Sequence, residues 1–406
     1  MCVLKIKMAF LFILTCLCFL TPTHQTPHPN VTISDLSYKN IDFAMNLYRK
    51  IAGSSDKNIF FSPLSISTSF AALLMASDGV TREEILKVLN LKQLAVDHQP
   101  ELIPRLFQLL QENVAHNGSL KLDQSTALFI HQQFKVERMF TDRMKKFFHA
   151  DIKTVDFADT EGSISFINEY IKQKTENKIP EMISTLDETT QLLLINSIFF
   201  QGAWQMPFSA NLTENAPFYI DNYNIVQVPM MFKEEAKLYT MEDVLLGARA
   251  LKLPYQKGVS MLILLPNQGV DYTVIDDEIS AEKFLSWIKK LHKTNLEVNM
   301  PKFKMEQAYS LHSLLPDMGM SSLFSSSANL TGLSKDRGLT VSEVLHKAVI
   351  DVDEAGTTAA AATTIGIIPY SLPRVFTVNR PFFFFIYHED TNSLLFMGRV
   401  VDPTQT

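Results

Sequence analysis

Cysteine is absent wherever a fold could use it. All three, Cys2, Cys16 and Cys18, lie at the extreme N-terminus. The remaining chain therefore has no disulfide, thiolate metal site or cysteine nucleophile. Glycine is sparse, 14 in 406 residues. With no short-period repeat, that excludes collagen-like and propeller arrays. Positive charge is not in excess: 37 basic against 43 acidic side chains give a net charge of -6, unlike nucleic-acid-binding domains. Catalytic signatures are missing too. No G-x-S-x-G, H-E-x-x-H or G-x-x-x-x-G-K-[ST] occurs. The 10 histidines are scattered, none paired at metal-ligand spacing in the folded part. The chain does not read as an enzyme, and no metal or prosthetic group is expected.

What is present starts with MCVLKIKMAFLFILTCLCFL. Lys5 and Lys7 precede an apolar run, Met8–Leu20, that is short for a membrane span and suits a secretory signal peptide. The expected organisation is a signal peptide at 1–23, a short flexible segment at 24–33 and one folded domain at 34–406. No later run is long enough to span a bilayer. Secretion gives meaning to four N-x-S/T sequons, which open at Asn30, Asn117, Asn211 and Asn329.

Apolar spacing predicts a helix over Ser34–Ile51, a second from Ser62-Pro63, and a third opened by a capping box at Thr81 and Glu84. Ser163–Glu181 reads as an amphipathic helix. Leu192–Phe200, broken only by Asn196 and Ser197, reads as a buried central strand. Further strands are expected around Val226–Phe232, Leu251–Leu253, Met261–Leu265, Leu296–Met300, Phe376–Val378, Phe382–Tyr387 and Leu394–Val401. Helices first and strands later indicate an α+β domain.

Asp351 and Asp353 share a strand face and read as a solvated edge rather than an acid–base pair. Asn196 and His346 sit in apolar strands, where polar groups need partners, and a mutual hydrogen bond is expected. The segment EAGTTAAAATTIGII from Glu354 is unusual. Beyond the Glu it has no charge and few large side chains. Its alanines favour helix and its β-branched residues favour strand. Exposed, such a segment is prone to strand insertion.

Together with HKAVIDVDEAGT before it, that segment resembles the reactive-loop hinge of serpins. Asn58-Ile-Phe-Phe-Ser-Pro-Leu-Ser-Ile, Asn196-Ser-Ile-Phe-Phe-Gln-Gly-Ala-Trp204, Phe208, Thr213 and Phe218 are similar to serpin motifs. So are Val228-Pro-Met-Met, Leu253-Pro-Tyr, Pro301-Lys-Phe, Arg380-Pro-Phe and Phe396-Met-Gly-Arg-Val. Asn177 stands where the family usually has Gly, and Asn tolerates a left-handed backbone. Gln201 replaces a commonly basic residue.

The resemblance implies three β-sheets, eight or nine helices, and an exposed reactive-centre loop over about 354–374. It implies a secreted, monomeric suicide-substrate inhibitor of serine proteases. The hinge residues would be Glu354, Gly356, Thr357, Thr358, Ala359 and Ala360, and the reactive bond Tyr370–Ser371, sixteen positions beyond Glu354. Asn196 and His346 would mark the place where central strands part. Tyr370-Ser-Leu-Pro, Lys293-Thr-Asn-Leu-Glu-Val and Leu102-Ile-Pro-Arg-Leu-Phe are similar to those of a cofactor-assisted coagulation inhibitor. That likeness implies factor Xa and factor XIa as targets. It implies protein Z, calcium and phospholipid as assisting factors, docked through Asp276, Tyr223 and Asp221. Arg143, Lys145, Lys146 and Lys153, and Lys289, Lys290 and Lys293, read as solvated faces, with heparin binding as the alternative. The competing functions are a chymotrypsin-type inhibitor independent of protein Z and a non-inhibitory carrier.

Overall fold

In the computed structural model, the described residues are 31–95, 99–115, 121–356 and 374–405. The expected signal peptide, Asn30, Asn117, Thr357, Thr358, Ala359, Ala360, Tyr370 and Ser371 lie outside them. Helix α1 (Ile33–Ala52) buries Leu36, Ile41, Phe43, Leu47 and Ile51, the stripe its spacing demands. Strand β1 (Ile59–Phe61) leads to α2 (Pro63–Leu74), where Ser62 caps the N-terminus by accepting from the Ser65 N–H. Helix α3 (Gly79–Val88) corrects the expected capping box: Asp78 is the cap. Thr81 and Glu84 instead face the 320s, accepting from the backbone N–H groups of Asn329 and Ser322.

The chain continues through α4 (Leu102–Ala115), β2 (Lys121–His131), α5 (Arg138–Phe148), β3 (Asp151–Val155) and α6 (Thr160–Lys174). Then come β4 (Leu192–Gln201), β5 (Glu214–Tyr219), β6 (Ile225–Asp243), β7 (Ala248–Pro254), β8 (Val259–Pro266), α7 (Tyr272–Glu278) and α8 (Ala281–Lys290). It closes with β9 (His292–Pro301), β10 (Phe303–Ser310), α9 (Leu314–Asp317), β11 (Glu343–Val352), β12 (Arg374–Thr377), β13 (Phe382–His388) and β14 (Ser393–Val400). No helix among the described residues is long and apolar enough to cross a membrane.

The α+β class holds, and the expected sheets are joined into two hydrogen-bonded ladders among the described residues. The smaller runs β10-β11-β4-β2-β3. The larger runs β1-β14-β13-β8-β7-β6-β9-β12, with β5 on β6. The merger has one cause. Strand β6 is 19 residues long, pairs β5 near its start and β7 near its end, and passes a register irregularity between Lys233 and Ala236. A bulge lets one strand change direction without leaving the ladder.

Aromatic side chains fill the core between the layers. Phe60 stacks on Phe384 and Phe396 with centroids 5.7 and 5.5 Å apart. Gly398 permits this, since a Cβ there would lie 2.5 Å from the Ile59 carbonyl oxygen. Strand β11 ends the smaller sheet's contribution and β12 belongs to the larger, so the loop between them bridges two sheets.

Candidate functional site

At the centre of the smaller sheet, β11 and β4 pair in parallel from Glu343↔Leu193 to Ile350↔Phe200. Parallel neighbours need a crossover connection, and here they are far apart in sequence. Near the middle of this seam His346 lies opposite Asn196. The Ser62 N–H donates to His346 Nε2 at 3.1 Å. Nε2 thus accepts, and Nδ1 carries the proton it donates to Asn196 Oδ1 at 2.7 Å. Asn196 Nδ2 points on to Ser69 Oγ at 2.9 Å, Thr126 Oγ1 at 3.1 Å and the Ser65 carbonyl at 3.2 Å. Both residues are buried. Burial pushes the His346 pKa down to about 3, so the imidazole is neutral. The network ties α2 to β2, β4 and β11, and the expected mutual bond is present.

Beyond β11 the chain folds back on the end of β4. Asp353 and Gly356 exchange backbone hydrogen bonds of 3.0 and 3.2 Å, closing a tight turn. The Asp353 carboxylate braces it by accepting from the Ala355 and Gly356 N–H groups. Gly356 also bridges Ala203. A Cβ on it would lie 2.3 Å from the Gly202 oxygen and 2.5 Å from the Trp204 nitrogen, at φ +118. Glycine is required there on both counts. Trp204 clamps the turn twice, its indole N–H on the Asp353 carbonyl at 2.9 Å and its backbone N–H on the Ala355 carbonyl at 3.0 Å. The Phe208 N–H holds the Glu354 carbonyl at 2.8 Å. The Glu354 carboxylate receives the Thr213 hydroxyl at 2.7 Å and the Lys302 ammonium at 2.8 Å. Despite burial, which raises it, these bonds hold its pKa below the usual range.

The remaining candidates fall elsewhere. Asp276 is buried, paired with Arg399 and accepting from the Tyr48 hydroxyl. It secures α7 against α1 and β14 rather than presenting a surface contact. Tyr223 is 93% exposed at the tip between β5 and β6. Asp221 beside it shapes the tip, accepting from the Tyr223 and Asn224 N–H groups at 2.7 Å each. Asn211 is exposed, and Asn329 is half-buried with its Oδ1 accepting from the Thr331 hydroxyl. Arg143 and Lys146 share Glu101 at 3.7 and 3.8 Å. Lys153 lies over the Tyr170 ring. Lys289 and Lys290 end α8, and Lys293 lies over Tyr239. Asn177 adopts φ 63, as expected. Asp353, expected on a solvated edge, instead braces the hinge turn, and an acidic residue three positions before a glycine is a turn signature.

A family model described as "Serpin (serine protease inhibitor)" matches residues 38–403. This chain is a serpin. The serpin is 37% identical to mouse protein Z-dependent protease inhibitor over 370 residues, 91% of this chain and 82% of the relative. The human counterpart is 36% identical, covering 91% and 83%. Among solved structures, the mouse protein Z-dependent protease inhibitor superposes with TM-score 0.86 at 36% identity, covering 91% of this chain and 98% of that one. Human thyroxine-binding globulin complexed with thyroxine gives 0.85 at 32% identity, covering 92% and 100%. As in the family at large, the molecule is built as a protease inhibitor rather than a catalyst.

Proposed function

We propose that the chain is a secreted inhibitor that traps serine proteases by inserting its reactive loop between β11 and β4, with Tyr370–Ser371 as the reactive bond. The observation that carries this is the position of Gly356. It bridges Asp353 on the β11 side and Ala203 on the β4 side, so it is a first rung shared by both seam strands. A strand that continues from this turn runs antiparallel to β11 and, because β4 is parallel to β11, antiparallel to β4 as well. Both ladders accept it once the seam opens. A protease attacks the Tyr370 carbonyl, forms an acyl-enzyme and releases the chain that begins at Ser371. The freed loop, led by Thr357, Thr358, Ala359 and Ala360, then enters the seam. The tethered protease is carried along and its oxyanion hole is distorted, where loss of one donor costs about 10²–10³ in rate.

The likeness to protein Z-dependent protease inhibitors supports factor Xa and factor XIa as targets, with protein Z, calcium and phospholipid assisting. Tyrosine leaves the buried Asp of an arginine-specific pocket unpaired, so intrinsic reactivity is low. Docking on a shared membrane compensates through effective concentration. Exposed Tyr223 is the kind of aromatic anchor that such docking uses, with Asp221 beside it. Asp276 would act through the packing of α7. Heparin binding at the basic clusters is the weaker contribution. Secretion accords with the N-terminal segment, and glycans would sit at Asn30, Asn117, Asn211 and Asn329.

The test is inhibition of factor Xa and factor XIa with and without protein Z, on anionic vesicles with calcium. The expected result is an SDS-stable complex, release of a peptide starting at Ser371, and acceleration of factor Xa inhibition by protein Z of about 10²-fold or more. A peptide starting at Val375 would overturn the register. Inhibition of both proteases unmoved by protein Z would leave a protein Z-independent inhibitor. Absence of any complex, with chymotrypsin included, would leave a carrier.

A further inference from the structure

The segment joining α6 to β4 crosses the seam that must open. Ile179 and Ile183 pack into a core with Leu193, Ile195 and Phe199 of β4 and Val349 of β11. Asn168 of α6 ties the segment down, donating to the Ile183 carbonyl at 2.8 Å and accepting from the Met182 and Ile183 N–H groups. Lys347 of β11 donates to the Glu181 carbonyl at 2.7 Å. Between this strap and the start of the β4–β11 pairing lies a cleft of about 640 Å³, within the range of drug-sized ligand sites.

Its lining includes the apolar residues Ile183, Leu186, Leu193 and Leu345 and the acidic residues Asp187 and Glu343. Each carboxylate is oriented through one oxygen. Asp187 Oδ1 accepts from the Thr189 N–H and hydroxyl at 2.8 and 2.7 Å. Glu343 Oε1 accepts from the Ser310 hydroxyl and the Val344 N–H. Among the described residues, the other oxygen of each has no hydrogen-bond partner. The Thr189 bonds hold the Asp187 pKa below its usual value. His312 is the other titratable group lining the cleft, and no lysine or arginine does so.

We propose that this cleft binds a drug-sized organic cation, its ammonium group held by Asp187 and Glu343 and its apolar body on the four aliphatic side chains, and that the occupant clamps the seam shut. The clamp rests on the insertion reading above. Leu193 and Glu343 are register partners across β4 and β11. An inserted strand moves them from one strand spacing, about 4.8 Å, to about twice that. The complete site therefore exists in the closed form alone, and a ligand specific to one state shifts the population toward it.

Three probes share one body and differ in charge: 4-phenylbutylamine, 4-phenylbutan-1-ol and 4-phenylbutyrate. Calorimetry on the intact chain should show the amine binding at least tenfold tighter than the alcohol, with the butyrate weakest. The isosteric Asp187→Asn/Glu343→Gln variant should lose that order. Loop-cleaved protein whose melting midpoint has risen should bind the amine at least tenfold more weakly than intact protein. Saturating amine should raise the ratio of inhibitor to chymotrypsin needed for full inhibition. Equal binding of the three probes, or a charge preference that survives the double substitution, would overturn the site. Equal amine binding before and after insertion would overturn the clamp. A midpoint that does not rise on cleavage would refute the insertion reading and the clamp with it, while the charge preference of the intact chain still decides the site.

Discussion

His346 Nδ1 and Asn196 Oδ1 meet at 2.7 Å across the β11–β4 seam, both side chains buried. The imidazole is held neutral, with its pKa near 3 in the fold against about 6.5 in an unfolded chain. The neutral form is the one that fits. Below pH 6.5 the unfolded chain takes up a proton that the native His346 refuses, so stability falls with pH. The contribution is complete above pH 6.5 and is lost as pH drops toward 3. By pH 5 the loss is about 2 kcal/mol. His346→Gln keeps a donor for Asn196 and an acceptor for Ser62, so it should flatten this part of the profile. The measurement is the denaturant midpoint of both proteins between pH 5 and 8. Parallel profiles would show that His346 does not titrate across this seam.

Gly356→Ala should dislodge the hinge. The added Cβ meets backbone atoms of Gly202, Ala203 and Trp204, which cannot rotate away, at a φ that side chains avoid. Backbone strain of about 1–3 kcal/mol and overpacking of similar size combine. Gly338→Ala is the control, with φ +84 and open space around the site, so it carries the backbone cost alone. The intact Gly356 variant should melt several degrees below the Gly338 variant. Equal midpoints would mean that the Gly356 contacts contribute nothing to holding the hinge.

The sequence revealed most clearly those elements whose own residues decide them. Leu192–Phe200 is apolar throughout apart from Asn196 and Ser197, and β4 occupies that run. In β6 the pattern is readable over Val226–Phe232, then Lys233, Glu234 and Glu235 interrupt it where the register slips, so the strand's full length was hidden. Helix α6 was expected to reach Glu181 and stops at Lys174. Thr175 turns its hydroxyl back to the Ile171 carbonyl, and Glu176 and Asn177 take positive φ. The sequence offered Thr81 and Glu84 as the cap, and Asp78 takes that place because the distant 320s engage both side chains. The hinge shows the same division. Glu354 and Gly356 were recognisable from the segment, whereas Lys302, Thr213 and the Trp204 indole are brought to it by tertiary folding.

Thr357→Arg should turn the inhibitor into a substrate. Thr357 directly follows Gly356, the residue bridged to both sides of the seam, and on insertion its neighbours are the two central strands. An unpaired guanidinium in that interior is strongly penalised. Insertion then lags behind deacylation and the protease escapes. The reading is the molar ratio of inhibitor to protease needed for full inhibition, which should rise severalfold. A ratio identical to the parent's would place Thr357 outside the inserted strand.

Cleaving the loop should stabilise the molecule, the reverse of what nicking does to most proteins. In the intact chain β11 and β4 are paired directly from Glu343 to Ile350, and the segment after Gly356 carries no charge from Thr357 to Thr364. That segment is able to form a strand yet is tethered at its far end, through Arg374, to β12 of the other sheet. Insertion gives up one parallel ladder and gains two antiparallel ones. The net gain is roughly a dozen hydrogen bonds at about 1 kcal/mol each, of order 10 kcal/mol. The intact fold is then a kinetic trap. Cutting between Ile365 and Tyr370 removes the tether while leaving β12 on β9. A gain of this size raises the melting midpoint by about 10–15 °C. Circular dichroism melts of intact and cleaved protein decide the matter. Coincident curves would mean that the seam does not accept the loop, and would defeat the trapping mechanism.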